Sequence, residues 1–114
     1  LLFSLDIHSN YIRLIKKHQF IYLANLNNLD LSYNQIEFVE NEAFYKMRLL
    51  ESLNLKNNEL KSIKNGTFFG AERLNKIDLS NNLIESIENK TFFRLNRLTE
   101  LKLDSNKIKQ LDSE

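Results

Sequence analysis

The chain has 114 residues with no cysteine, no proline and only two glycines, and its 16 Lys and Arg against 15 Asp and Glu leave a net charge of +1. So even a balance argues against a general nucleic-acid binder, which needs clustered cations to neutralise phosphates, and the pair Lys16 and Lys17 is too small a cluster. No stretch approaches the roughly 20 apolar residues that span a bilayer and no signal peptide is visible; the length suits a single core.

In chain order, the first predicted strand is centred on Leu5, where apolar and polar residues alternate with period two. His8 and His18 fall at variable positions in this first stretch, and both are expected in solvent. A metal site needs several convergent His, Cys or carboxylate ligands. Two isolated histidines without cysteine do not supply them, so no metal and no cofactor is expected. The second strand is centred on Leu29, within LDLSYNQIEFVENEAFYK. Asp30 and Ser32 there suggest a Ser-His-Asp site with His8, but the same pair recurs as Asp78 and Ser80 and follows a repeat. With no nucleophile elbow and no glycine loop to hold an oxyanion, no catalytic residue is assigned.

The third and fourth strands are centred on Leu53 and Ile77. Each is followed by a glycosylation sequon, Asn65-Gly66-Thr67 and Asn89-Lys90-Thr91, placed identically before a phenylalanine. Asn65 and Asn89 are therefore candidate glycan sites; the alternative is that Asn and Thr cap a short helical turn. Ile21, Tyr45, Phe69 and Phe93 form a second apolar column, expected to be partly buried under the neighbouring turn rather than to make a binding stripe. The fifth strand is centred on Leu101, in LTELKLDSNKIKQL, where Lys107 and Lys109 read as a solvated face.

These elements recur at a fixed interval of 24 residues. Rows beginning at Leu2, Leu26, Leu50, Leu74 and Leu98 align Leu5, Leu29, Leu53, Ile77, Leu101; then Ile7, Leu31, Leu55, Leu79, Leu103; then Asn10, Asn34, Asn58, Asn82, Asn106. Further columns hold Ile15, Val39, Ile63, Ile87, Leu111 and Phe20, Phe44, Phe68, Phe92. The unit LxxLxLxxNxIxxIxxxxFxxL resembles the leucine-rich repeat family in its extracellular form, and the resemblance covers essentially the whole chain. It implies an α/β leucine-rich repeat solenoid, a right-handed superhelix with a parallel β-sheet on the concave face and irregular or short helical convex segments. Residues 1–114 read as one array of about four and a half repeats, expected to be part of a longer protein whose caps and any membrane anchor lie outside it. For that reason the missing cysteines, which alone would favour a reducing compartment, are given little weight.

A single coil cannot enclose its own leucines, so stability is expected from stacking turn on turn. The chain bends sharply after each strand and leaves backbone groups without sheet partners, which is costly when they are buried. An inward asparagine ladder, with two donors and an acceptor on each amide, can bond them.

The residues between the strand leucines make inner columns free to contact a partner: Ser4, Asn28, Ser52, Lys76, Glu100; Asp6, Asp30, Asn54, Asp78, Lys102; and His8, Ser32, Lys56, Ser80, Asp104. Departures from the repeat wording mark the binding candidates His8, Tyr33, Lys56, Lys76, Glu100, Lys102 and Asp104. Tyr33 is the preferred anchor because interface energy concentrates in aromatic residues and Arg. Lys76 with Glu100, and Asp78 with Lys102, are expected to pair across adjacent strands. The rows resemble those of Toll-like receptors, adhesion proteins and secreted immune proteins of the family. This implies a non-enzymatic recognition module of an extracellular protein, first a receptor ectodomain, second an adhesion or matrix protein, third an intracellular scaffold. The implied partners are a protein ligand or co-receptor on the concave face, or a glycan or microbial ligand, with dimerisation frequent in the family.

Overall fold

The computed structural model describes residues 3–111. Leu1, Leu2 and residues 112–114, and the side chains of Gln110 and Leu111, lie outside the described set, and with them the first member of the leading leucine column and the last of the isoleucine column. Five three-residue strands form one parallel sheet in sequence order: β1 (Ser4–Asp6), β3 (Asn28–Asp30), β5 (Ser52–Asn54), β7 (Lys76–Asp78) and β9 (Glu100–Lys102). Each residue pairs with the one 24 positions later, as in Leu29 with Leu53 and Ile77 with Leu101. The sequence interval and the sheet register are thus the same quantity.

The alternation is visible in burial. Leu29, Leu53 and Ile77 are almost wholly inaccessible, whereas the residues flanking them are exposed or half-buried. Leu31, Leu55 and Leu79 are buried just past the strands, and Ile36, Leu60 and Ile84 join them from the return path. Convex segments take the irregular form: they are turns, and among the described residues there is no helix. The opposite wall also carries short parallel pairing that the sequence reading did not foresee. β2 (Leu14–Ile15) pairs with β4 (Phe38–Val39), while β6 (Ser62–Ile63), β8 (Ser86–Ile87) and β10 (Gln110–Leu111) form a separate ladder. Ile15, Val39, Ile63 and Ile87 are the buried residues of these strands. Behind them Phe20, Phe44, Phe68 and Phe92 stack as a spine, with centroids 6.1, 6.2 and 5.8 Å apart.

The asparagines close each turn onto the one before it. Asn82 Oδ1 accepts the Leu60 N–H at 3.1 Å, while its Nδ2 donates to the carbonyls of Leu55 in the preceding turn and of Leu79 and Ser80 in its own. Asn34, Asn58 and Asn106 make the equivalent sets. Asn10 bonds the carbonyls of Ile7 and His8 in its own turn. The residue before each asparagine, Ser9, Tyr33, Asn57, Asn81 or Ser105, has a φ between 54° and 57°. A left-handed residue there reverses the chain out of the strand and aims the amide inward.

Candidate ligand-binding face

The outward side chains of the five-stranded sheet and of the turns that follow it make one continuous polar surface. Its two parts have different jobs. At the ends of the first four strands of the sheet an acidic or amide side chain folds over the next turn: Asp30 Oδ1 accepts the Ser32 N–H at 2.9 Å and the Ser32 hydroxyl at 2.6 Å. Asp78 does the same for Ser80, at 3.0 and 2.6 Å, and Asn54 Oδ1 accepts the Lys56 N–H at 3.0 Å. Such side chain to backbone bonds are a turn device. They tie up the Ser32 hydroxyl, which is buried, so Asp30 and Ser32 form a cap in which Ser32 makes no bond to His8.

His8 instead takes Asp6. Its Nδ1 is hydrogen-bonded to Asp6 Oδ1, which also accepts the His8 backbone N–H at 3.1 Å. The side-chain bond to Asp6 raises the His8 pKa above the ordinary imidazole value, and the same bond holds the Asp6 carboxyl below its ordinary value. Because Asp6 and Asp30 are register partners, the ligand atoms of Asp6, His8 and Asp30 come within 4.8 Å of one another, a convergence the isolated position of His8 in the sequence does not reveal. Both aspartates are engaged as turn caps and the cluster is open to solvent. His18 departs from the expected solvated position: it is half-buried, stacked on Tyr45 at 4.9 Å, with Nε2 3.3 Å from Glu42 Oε1. Its column neighbour Glu42 supplies the carboxylate, and Tyr45, from the column of Ile21, supplies the ring.

The charged departures cluster at the β7 and β9 end. Glu100 gathers both lysines, with Lys76 Nζ at 3.8 Å and Lys102 Nζ at 3.6 Å. The expected Asp78–Lys102 pair does not form among the described residues. The two are register partners, but the Asp78 carboxylate is held by Ser80, and Lys102 turns along its own strand to Glu100. Asp104 is exposed just beyond, while Lys56 is half-buried in the turn after β5. Tyr33 stands on the turn after β3, 51% exposed, with backbone φ 56° and its N–H donating to the Lys56 carbonyl at 3.0 Å. It therefore lies on the rim of the sheet, beside Lys56, and not on a strand.

Elsewhere, Asn65 and Asn89 are exposed on the convex turns. Thr67 and Thr91 are buried beside them, and the Thr91 hydroxyl donates to the Glu88 carbonyl at 2.6 Å. The second apolar column divides. Ile21 and Tyr45 are half-buried as expected, but Phe69 and Phe93 are 49% and 65% exposed. Tyr45 is sandwiched between His18 and Phe69, whereas Phe69 stacks on Tyr45 by one face and opens onto a groove by the other.

A parallel-strand coil with a ladder of inward amides and a variable polar inner face defines a repeat protein built to present a surface. The chain belongs to the leucine rich repeat family, whose pattern matches residues 1–60 and 48–108. No curated protein matches the sequence. Among solved structures, a TLR13–ssRNA13 complex is similar, at 32% identity and a TM-score of 0.86, over 89% of this chain and 14% of the other. The leucine-rich repeat domain of APL1B is 30% identical with a TM-score of 0.86, over 97% of this chain and 32% of that one. The Drosophila Toll–Spatzle complex is 25% identical with a TM-score of 0.88, over 96% and 14%. The chain thus spans a third or less of each of these relatives.

Proposed function

We propose that the chain is a ligand-recognition segment of an extracellular leucine-rich repeat protein, a receptor ectodomain of the Toll-like type. It would bind a protein partner through His8, Tyr33, Lys56, Lys76, Glu100, Lys102 and Asp104. The supporting observation is Tyr33: a large aromatic, half-exposed, held in a left-handed conformation that its column mates fill with Ser or Asn. The left-handed backbone recurs in every turn, so what sets Tyr33 apart is a large exposed ring where its column mates carry small polar side chains, and interface energy concentrates in aromatic residues. The solved relatives add support, since one is a complex with ssRNA and another a complex with Spatzle. Membership of the leucine rich repeat family favours interaction over catalysis.

A protein partner is favoured over RNA because the inner face offers few free cations. Two of its lysines share Glu100, leaving little to neutralise phosphates. A photo-crosslinking amino acid placed at Tyr33 in the full-length protein, on the cells that make it, is expected to yield an adduct with a partner protein. The same group at Arg48 on the convex side is expected to yield none. Adducts at Arg48 alone, or an RNA adduct at Tyr33, would reverse the reading. Peptide mapping of the protein purified from its native source tests the extracellular part: glycan on neither Asn65 nor Asn89 would favour the intracellular scaffold.

A further inference from the structure

A groove of about 340 Å³ runs along the convex surface between the third and fourth turns. Phe69 and Phe93 line it, Glu72, Lys90 and Arg94 supply its polar groups, and Asn65 also borders it. We propose that an N-linked glycan on Asn65 lies in this groove, its sugar rings seated on the faces of Phe69 and Phe93. This rests on the extracellular reading above and adds to it a seat for the sugar.

Three observations fix the occupant as the chain's own sugar. Asn65 is exposed, stands in a sequon and borders the groove, so a sugar on its Nδ2 is attached at the groove's edge. A pyranose ring has an apolar C–H face and a polar edge. The groove matches both, with two half-bare aromatic rings and charged side chains able to bond hydroxyls. Finally, the third turn lacks a side chain where the others carry a long one: Gly70 replaces the Tyr22, Lys46 and Arg94 of its column and borders this groove and the adjoining one. A Cβ at Gly70 would lie 2.9 Å from Tyr45 Cδ1 and 3.0 Å from the Lys46 backbone nitrogen, and φ is +93°. The second turn therefore excludes a side chain at Gly70, and the groove is bordered there by backbone alone, in the same turn that carries the sequon.

The test is a double-mutant cycle on protein secreted from eukaryotic cells with Asn89→Gln, so that only Asn65 is glycosylated. Asn65→Gln is expected to lower the thermal midpoint by about 2–4 °C when Phe93 is present, and by less than about 1 °C when combined with Phe93→Ala. The same cycle on bacterially made protein, which carries no sugar, is expected to show no coupling. Equal losses in both backgrounds, no loss, or coupling without sugar would overturn the proposal. So would mass spectrometry showing Asn65 unoccupied. If Asn89 of the parent is also bare, the extracellular reading falls too, whereas an occupied but uncoupled Asn65 overturns the groove alone.

Discussion

At the scale of single residues, Tyr33 carries the sharpest trade between stability and role. A left-handed conformation costs an ordinary L-residue roughly 1–2 kcal/mol, less for Asn. Asn57 and Asn81 occupy the same backbone site one and two turns on. Tyr33→Asn is therefore expected to raise unfolding stability by about 0.5–1 kcal/mol in urea denaturation while weakening partner capture. A variant both less stable and fully active would refute the argument. His8 and Asp6 offer an independent readout. His8 is raised above the ordinary 6.5 and Asp6 is held below 3.8, each chiefly by their mutual hydrogen bond. The pair therefore favours the folded chain fully between those values. Its contribution fades as pH rises through the folded-state value of His8, and again as pH falls through that of Asp6. Both groups are open to water, so the effect on stability is small. The titration is the useful signal: NMR of the His8 ring is expected to give a value above 6.5 that returns toward 6.5 in Asp6→Asn.

At the scale of elements, the amide ladder and the leucine columns stabilise by different physics. Asn82→Ala leaves the Leu60 N–H and three carbonyls short of a partner inside the core, which costs about 1–3 kcal/mol. Leu55→Ala opens a cavity in a fully buried site and costs about 2–5 kcal/mol. Unchanged urea midpoints in either variant would contradict these roles. Gly70→Ala is expected to cost about 1–3 kcal/mol, because its backbone is left-handed and Tyr45 and Lys46 stand in the way of a methyl group. The strands, their register and the ladder were legible because each is a column property: Leu53 pairs with Leu29 for the same reason that it stands 24 residues from it. What stayed hidden depends on side chains choosing among neighbours. Lys102 stands opposite Asp78 in register, yet Ser80 competes successfully for that carboxylate. His8 looks isolated until the sheet brings Asp30 across from the next turn. The convex groove is bordered by Gly70, which stands out in its column beside Tyr22, Lys46 and Arg94, but the column does not reveal that Tyr45 and Lys46 crowd that position.

At the scale of the whole molecule, two lateral columns alternate in sign: Arg13, Glu37, Lys61, Glu85, Lys109 over all five rows, and Lys16, Glu40, Lys64, Glu88 over the first four, before Asp112 ends the second alternation. The charges meet across turns. Arg13 Nη2 lies 2.5 Å from Glu37 Oε2, Lys64 Nζ lies 3.8 Å from Glu88 Oε2, and the Glu37 carboxyl is lowered by Arg13 with a further contribution from Lys61. Each pair is exposed, and solvated ion pairs contribute little singly. Their common pattern nevertheless gives the solenoid a period of two turns superimposed on its period of one. Excising residues 50–73 would keep every leucine, asparagine and phenylalanine in column but set Glu37 against Glu85 and Glu40 against Glu88. Excising residues 26–73 would leave Arg13 facing Glu85 and Lys16 facing Glu88, with the alternation intact. Salt screens exposed charges within about 10 Å at 0.1 M. Raising sodium chloride from 20 mM to 500 mM is therefore expected to stabilise the one-turn deletion and to leave the parent and the two-turn deletion unchanged or slightly weaker. Urea midpoints at the two ionic strengths decide it: if the one-turn deletion does not gain where the others fail to, the alternation has no part in specifying which turns stack.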